Sequence, residues 1–414
     1  MRPKKRIDAV SDRKLLLWIV LVAFLLRIAY IAIFHTYDYP GSDKYGMGFE
    51  TGAIARSIAS GHGFSSPFRT LSGPSAWLAP LYPYFVAAVF KVFGIYSGTS
   101  AFVIFAFNSF CSALTCVPIF LIGRRMFSRR VGLISVWIWA LAPPAMFWAV
   151  RWVWETSASA LLLTWLIWLT LTLAESESIR PWLWFGFAWG IAALTNPSLL
   201  SFFPVSLAYP LWQRKQRNQI WLSRGVVVAL LFLNIITPWL IRNAVVFHYP
   251  VFIRPNLWAE VAFGNAPGAD GTWQARIHPS MNTRENASYD LMGEVQYVQW
   301  KRMQVTRFIR ENPGLFVTLC LRRLYLFWSG FSEPGERLRW LRAAGWITFT
   351  VLAFTGLWMA RRISGTFPLA WLLLFYPAAY YVTFAFARYK HPIEPVMVVL
   401  VVYAIEQIKT IAKS

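Results

Sequence analysis

The chain has 414 residues, of which 57% are hydrophobic and only 14% are charged. A soluble domain is nearer half apolar and a quarter charged, so this chain cannot cover itself with polar surface. The composition therefore excludes a soluble enzyme, a disordered chain and a fibrous protein. Lysine and arginine outnumber aspartate and glutamate by 40 to 18, which gives a formal net charge of +22.

Apolar segments recur along the whole chain. A helix that crosses the roughly 30 Å hydrocarbon layer of a membrane needs about 20 apolar residues. The sequence therefore predicts an all-α polytopic membrane protein, in which the fifth and sixth spans are short. The predicted spanning helices are 15–35, 101–122, 131–149, 157–174, 182–195, 197–212, 225–241, 343–360, 366–386 and 393–409.

Basic clusters beside the helix ends predict the orientation. Clusters before the first helix, after the second, and between the sixth and seventh fall on one side, which we assign to the cytoplasm of a cell (inner) membrane protein. The first apolar run is too long for a cleavable signal peptide and is interpreted as a retained anchor. The predicted regions are a cytoplasmic N-terminus (1–14), a transmembrane module (15–241) with an outer loop at 36–100, an outer segment with interfacial helices (242–342), and C-terminal transmembrane helices (343–414).

The first outer loop contains a short amphipathic helix. From Phe49 to Ala59 apolar residues recur at helical spacing, and Gly61 follows as a stop signal. Glu50 falls in the first turn, where the positive end of the helix dipole favours a carboxylate. Glu50 is either a charge that complements this dipole or a general base held at the boundary between lipid and water.

A proline-flanked element follows in the same loop. The stretch from Gly73 to Tyr84 carries Trp77 and Tyr82, and the apolar run after it ends at Phe93. This run is too short to span, so the pattern favours a reentrant or surface-bound hairpin. The hairpin can serve as a lid or as a packing element.

The outer end of the third predicted helix combines tryptophans with charge. Trp148, Trp152 and Trp154 are typical of the membrane interface. Arg151 and Glu155 are four residues apart, which in a continuous helix places them on one face. They are interpreted either as an ion pair or as charged residues of a functional cavity.

A second group of charges opens the last helix. Arg388, Lys390, His391 and Glu394 lie close together there, and they can form either a phosphate site or a solvated turn. Arg27 lies well inside the first helix, where it either reaches lipid headgroups or faces a polar cavity.

The outer segment 242–313 is too polar to span and too long for a turn, and loops of this kind usually carry binding function. It includes Asn265 in a Gly/Pro-rich context. The stretch 314–331, with Arg322 and Arg323 in its middle, is predicted to be an amphipathic helix at the outer interface. The sequence has no HExxH, DxD or GxSxG motif and no Cys/His cluster, so metal-dependent and serine-nucleophile chemistry have no support.

Several of these elements occur in the order seen in a known superfamily. The helix at 54–64 reads Ile-Ala-Arg-x-Ile-Ala-x-Gly-x-Gly-Phe, and Pro-Leu-Tyr-Pro at 80–83 and Phe-Gly at 93–94 follow it. Pro-Trp and Arg-Asn within 238–243 and Arg-Tyr-Lys-His-Pro at 388–392 come later. This order resembles the GT-C superfamily of integral-membrane glycosyltransferases, in the branch of protein O-mannosyltransferases and the lipid A aminoarabinose transferase.

The resemblance implies a GT-C-type transmembrane helix bundle with amphipathic juxtamembrane helices in a large first outer loop. It further implies inverting transfer of a single sugar from a polyprenyl-phosphate donor to a lipid, glycan or protein acceptor at the outer face, without a metal or another cofactor. Many relatives carry an acidic residue at the position of Met47 and Gly48. Because this chain departs from that pattern, the catalytic base is assigned to Glu50, one helical turn later, with Asp43 as the second candidate.

The remaining site residues are the charged and aromatic side chains of the outer face. Glu155 is expected either to support the catalytic residues from behind or to orient the acceptor. The donor phosphate candidates are Arg56, Arg151, Arg388 and Lys390, and the sugar or acceptor candidates are Trp77, Tyr82, Asn265 and His391. The alternative function is a transporter or flippase for a lipid-linked sugar, which would require paired broken helices and ionisable residues near the midplane.

Overall fold

The computed structural model describes residues 7–38, 47–68, 70–330 and 339–412. These residues form nineteen α-helices, and none of them forms a β-strand. The first eleven helices are α1 (Ile7–Ile33), α2 (Glu50–Ala59), α3 (Leu81–Phe93), α4 (Gly98–Leu114), α5 (Cys116–Met126), α6 (Arg129–Leu141), α7 (Pro143–Arg151), α8 (Thr156–Thr172), α9 (Arg180–Thr195), α10 (Phe203–Gln216) and α11 (Leu222–Phe247).

The remaining helices form an outer group and a C-terminal group. The outer group is α12 (Leu257–Gly264), α13 (Thr283–Met292), α14 (Glu294–Glu311) and α15 (Pro313–Ser329). The C-terminal group is α16 (Arg339–Met359), α17 (Thr366–Phe375), α18 (Ala378–Val382) and α19 (Glu394–Ile411).

Within the described ranges, five helical runs are long and apolar enough to cross a membrane, or six if the bent pair α6 and α7 counts as one. Each coincides with a predicted span, so the chain is a multi-pass membrane protein. The five runs are Asp12–Ile33, Gly98–Met126, Thr156–Glu175, Leu222–Phe247 and Trp340–Met359.

The predicted spans 182–195 and 197–212 are short or interrupted helices. Helix α9 ends where Pro197 follows Asn196, and α10 carries Pro210 in its interior. Proline lacks a backbone N–H and therefore interrupts helical hydrogen bonding. Helix α15, predicted at the outer interface, is outside the group that meets the criteria for a span.

Arg27 stabilises the break between α6 and α7, which meet at an angle of 46°. The Arg27 side chain is fully buried and donates to the carbonyl oxygens of Ala140 at 3.0 Å and Trp139 at 3.4 Å. These carbonyls lie in the last turn of α6, where helical partners are missing because Pro143 and Pro144 follow. Arg27 thus caps a broken helix, and it neither reaches headgroups nor lines the main cavity.

The apolar core places the outer elements over the bundle. One cluster of buried residues joins α5 and α6 to α8–α11 and α19, and a second joins α1 to α3, α4 and α7. A third cluster is formed by Phe68 and Trp77 of the first outer loop with residues of α12–α14. The first outer loop is therefore packed between the bundle and the large outer segment.

Helices α16 and α19 pack closely because Gly356 has no side chain. A Cβ atom at Gly356 would lie 2.1 Å from the carbonyl oxygen of Leu400. We expect Gly356→Ala to destabilise the protein by about 1–3 kcal/mol, the usual cost of overpacking a core. Thermal unfolding in detergent measures this loss.

Gly345 is the matched control because it lies in the same helix with nothing within 4 Å of its Cβ position. Gly345→Ala should leave stability unchanged or raise it slightly, since alanine is the better helix former by about 1 kcal/mol. Equal melting temperatures for the two variants would contradict the close packing of α16 on α19.

Candidate active site

An unusual backbone turn places Glu50 at the start of α2. Gly48 has φ +80°, and a Cβ atom there would lie 2.2 Å from the carbonyl oxygen of Val153. Phe49 follows with φ 47° and ψ −105°, a combination that is rare for a residue with a side chain. The turn therefore seats the N-terminus of α2 directly against the connection between α7 and α8.

A cavity of about 430 Å³ opens at this point. Its walls come from the start of α2, the α7–α8 connection, the chain around α12, and the segment from α18 to α19. Aromatic side chains supply much of the apolar surface, including Trp77, Trp154, Trp273, Tyr380 and Tyr389. An apolar cavity with a few convergent polar groups is typical of a ligand site.

Arg388 lies among three carboxylates in the cavity. It interacts electrostatically with Glu50, Glu155 and Glu260, which come from three separate parts of the chain. Its guanidinium carbon lies 3.9 Å from the centroid of the Trp154 ring. Arg388 Nε is buried and has no hydrogen-bond partner among the described residues. Because Arg388 lines the cavity, its guanidinium group can meet an anion there.

Glu50 has a carboxyl group whose pKa lies near neutral pH. Burial raises the pKa of the Glu50 carboxyl to about 7, against the lowering effect of Arg388 and Arg254. The Glu260 carboxylate raises the pKa of Glu50 further. General bases work best when their pKa is near the operating pH, so these neighbours suit Glu50 to accept a proton.

His278 contacts the same carboxylate. Its Nε2 atom lies 3.4 Å from Glu50 Oε1. Burial lowers the pKa of His278 to about 3, and the charge of Lys301 lowers it further, so the imidazole is neutral at pH 7.

Glu260 also lines the cavity, where it is held by the chain before α12. Asn256 Nδ2 donates to Glu260 Oε1 at 2.8 Å, and Arg254 lies 3.5 Å from the same oxygen. Arg254 also donates through Nε to the carbonyl oxygen of Trp77 at 2.8 Å. Burial raises the pKa of Glu260. These contacts join the outer segment to the wall made by the first outer loop.

Four of the residues predicted from the sequence line the cavity together, namely Glu50, Glu155, Trp77 and Arg388. Arg151 and Glu155 do not share a helical face, because α7 ends at Arg151 and Glu155 lies in the connection before α8. Asp43, the second candidate for the base, lies outside the described residues.

The other predicted residues do not line this cavity. Arg56 is half-buried further along α2, and Arg151 is exposed beside Phe147. Tyr82 donates to Asn108 Oδ1 at 3.0 Å. The Tyr82 hydrogen bond joins α3 to α4.

Three further candidates are buried elsewhere. Asn265 accepts from Arg323 at 3.0 Å. Lys390 Nζ lies 3.6 Å from the centroid of the Trp346 ring, and His391 is paired with Glu394. Lys390 and His391 belong to the 3-10 segment Ala387–Ile393, where each residue turns about 120° from the last, so neighbours of Arg388 point in other directions.

Sequence reasoning missed a group of cavity residues in the outer segment and near α18. They include Arg254, Asn256, Glu260, His278, Tyr376 and Tyr380. The spacing of Asn256 and Glu260, four residues apart around a helix start, was a local signal that could have singled out this pair.

Among the described residues, no group of three His, Cys, Asp or Glu side chains is placed to hold a metal ion.

Comparisons with known proteins agree with this architecture. The family model for dolichyl-phosphate-mannose-protein mannosyltransferase matches residues 77–241, which is less than half of the chain. No curated protein matches the chain.

Solved structures resemble nearly the whole chain. The oligosaccharyltransferase of Archaeoglobus fulgidus in the apo form is 15% identical with a TM-score of 0.56, and the similarity covers 93% of this chain and 50% of that one. The archaeal oligosaccharyltransferase AglB, from the same organism and in complex with an inhibitory peptide and dolichol-phosphate, gives a TM-score of 0.53 at 15% identity, over 96% of this chain and 51% of that one. The present chain thus spans about half the length of that enzyme.

ArnT from Cupriavidus metallidurans bound to undecaprenyl phosphate is 14% identical over 96% of this chain and 78% of that one, but its TM-score of 0.39 is too low to support an argument. The archaeal likeness shows that this chain has the fold of GT-C membrane glycosyltransferases, which confirms the resemblance inferred from the sequence motifs.

Glu260 offers a direct test of the electrostatics around Glu50. Because the Glu260 carboxylate raises the pKa of Glu50, Glu260→Gln should lower that pKa from about 7 towards the value of an ordinary glutamate. Infrared titration of the carboxyl band, assigned through its loss in Glu50→Gln, measures the shift. Glu311→Gln, an exposed carboxylate on α14, is the control and should leave the titration unchanged. An unchanged Glu50 titration in Glu260→Gln would contradict the shared cavity.

Proposed function

We propose that this protein is a membrane glycosyltransferase that moves a single sugar from a polyprenyl-phosphate donor to an acceptor. The main support for the proposal is that one cavity is lined both by Glu50, whose pKa is raised to about 7, and by the guanidinium of Arg388. The GT-C fold is consistent with this chemistry.

Glu50 is the proposed general base. The acceptor oxygen or nitrogen attacks the anomeric carbon of the donor sugar, and its proton passes to the Glu50 carboxylate. The bond between the anomeric carbon and the phosphate oxygen breaks, and its electron pair leaves with the lipid phosphate. Attack from the face opposite the phosphate inverts the anomeric configuration. Glu50 then returns its proton to solvent. All atoms, protons and electron pairs of the reaction are accounted for without another cofactor.

Arg388 is the proposed ligand of the phosphate. Negative charge increases on the bridging phosphate oxygen as the bond to the sugar breaks, so a fixed cation there stabilises the transition state more than the ground state. Low polarity around Arg388 strengthens this effect, because Trp154 covers one face of the guanidinium. Glu155 lies near enough to Arg388 to orient either the guanidinium or the acceptor.

The cavity walls suit a sugar. Tyr380 and Tyr389 stack with their ring centroids 4.3 Å apart, and Trp77 and Trp273 supply further flat surface. Such surfaces can pack against the apolar face of a sugar ring while nearby hydroxyls and amides bind its polar edge. A hexose or a pentose fits this description, and the acceptor can be a lipid, a glycan or a protein.

We place the reaction at the outer face of the cell (inner) membrane. Arg124, Arg125 and Arg129 lie at the junction of α5 and α6, whereas the cavity lies beyond the opposite end of α6 and α7. The positive-inside rule assigns the basic junction to the cytoplasm. The N-terminal side of α1 then lies in the cytoplasm too, because Asp12 pairs with Arg124 and Arg129.

Glu50→Gln tests the proposed base. Loss of a general base typically slows a reaction by about 10²–10⁴-fold, so we expect a loss of this size with little change in protein stability. The assay uses protein reconstituted in vesicles, a panel of undecaprenyl-phosphate-linked hexoses and pentoses, and a membrane extract that supplies acceptors. Release of undecaprenyl phosphate and labelling of the acceptor are both measured.

Glu311→Gln is again the control, and it should keep the wild-type rate. Full transfer by Glu50→Gln would remove Glu50 as the base. Movement of the labelled donor across the vesicle membrane by the wild-type protein, without any transfer, would instead support the transporter alternative and refute the proposed enzyme.

A further inference from the structure

His278 is buried beside the proposed base, yet the proposed transfer assigns it no proton and no charge. It follows the 3-10 turn Ala275–Ile277 in the large outer segment, and only 4% of its surface is exposed. Its ring is enclosed by aromatic side chains, with ring centroids 4.6 Å away for Phe263, 5.0 Å for Trp273 and 5.6 Å for Phe68. The ring therefore has little freedom to turn.

Hydrogen bonds define which nitrogen of His278 carries the proton. The backbone N–H of Ser280 donates to Nδ1 at 3.2 Å, and Ser280 Oγ lies 2.6 Å from the same atom. A backbone N–H can only donate, so Nδ1 must be the acceptor. In a neutral imidazole the proton is then on Nε2, the atom that lies 3.4 Å from Glu50 Oε1.

We propose that His278 is a positioning residue, which holds the Glu50 carboxylate in the orientation that accepts the acceptor's proton by donating from Nε2 to Oε1. This role rests on the proposed function of Glu50 as base. With Oε1 fixed by His278, Oε2 is left to face the cavity. A base held in one orientation avoids the loss of rate that follows when reacting groups are misplaced by about 1 Å.

Charged groups also face Glu50, but they act differently. Arg388 reaches it from the 3-10 segment Ala387–Ile393, Arg254 from the chain before α12, and Glu260 from α12 itself. Their charges change the pKa of Glu50 over a distance. They do not hold the Glu50 carboxylate in one orientation. His278 is neutral near pH 7, because burial lowers its pKa to about 3, so it supplies a directed hydrogen bond without adding charge.

Two substitutions of equal polarity distinguish a role of His278 in positioning Glu50 from a role in packing alone. In His278→Gln the side-chain amide nitrogen can occupy the place of Nε2, whereas in His278→Asn the shorter side chain cannot reach Glu50. We expect the Asn variant to lose about 10²-fold in kcat with a nearly unchanged KM for the undecaprenyl-phosphate-linked sugar, and the Gln variant to stay within about 10-fold of wild type. Equal activity of the two variants would overturn the proposal.

His278→Phe keeps the aromatic packing but removes the hydrogen-bond donor. Phenylalanine suits the aromatic surroundings but has no N–H, so a role in packing alone predicts that Phe is the best tolerated of the three. Positioning predicts that Phe is as inactive as Asn while its melting temperature remains near that of wild type. In the Glu50→Gln background, His278→Asn should cause no further loss, because His278 acts through Glu50. A further loss of the same size would contradict that coupling.

Infrared titration of Glu50 needs no substrate, so it distinguishes failure of this proposal from failure of the proposed function. A hydrogen bond to the ionised carboxylate favours that form, so losing the His278 donor should raise the pKa of Glu50 from about 7 in His278→Phe and leave it near that value in His278→Gln. If the wild-type protein transfers no sugar but this shift appears, the contact stands and the assigned reaction is wrong. If transfer depends on Glu50 but the titration of His278→Phe is unchanged, the positioning role is wrong.

Discussion

The burial of Arg388 among carboxylates is the interaction on which the rest of the cavity depends. Removing a charged group from water costs several kcal/mol unless nearby groups compensate for it. Glu50, Glu155 and Glu260 supply that compensation from α2, from the connection before α8 and from α12. The arginine thus ties the first outer loop, the bundle and the large outer segment to one point. Arg388 also lines the cavity, so its guanidinium group can donate to an entering phosphate.

Other contacts hold the walls in place around this point. Glu294 at the start of α14 accepts from Ser75 Oγ at 2.6 Å, from the backbone N–H of Ala76 at 2.7 Å and from the hydroxyl of Tyr289 at 2.7 Å. This network fixes the chain just before Trp77, which forms part of the cavity wall. Rigid support of this kind lets a site keep its geometry in the absence of substrate. The outer segment therefore serves as the cover of the site as well as a source of its polar groups.

The sequence predicted the parts of this protein that depend on local pattern. Hydropathy located the spans, and helical periodicity located α2 with Glu50 in its first turn. Glu260 and His278 could not be placed in the same way, because their approach to Glu50 results from packing of segments more than two hundred residues away. Arg151 and Glu155 do not share the helical face that their spacing suggested, because the helix breaks between them. Lys390 was grouped with Arg388 by proximity in sequence, although a 3-10 turn directs the two side chains to different surroundings.

The central claim is that one cavity holds a carboxylate base and the phosphate of a lipid-linked sugar. A cryo-electron microscopy structure of the full chain with undecaprenyl phosphate would locate that phosphate. We expect phosphate density inside the cavity, within hydrogen-bonding distance of the Arg388 guanidinium and on the side that Glu50 faces. Phosphate bound beside Lys390 and Trp346, outside the cavity, would contradict it.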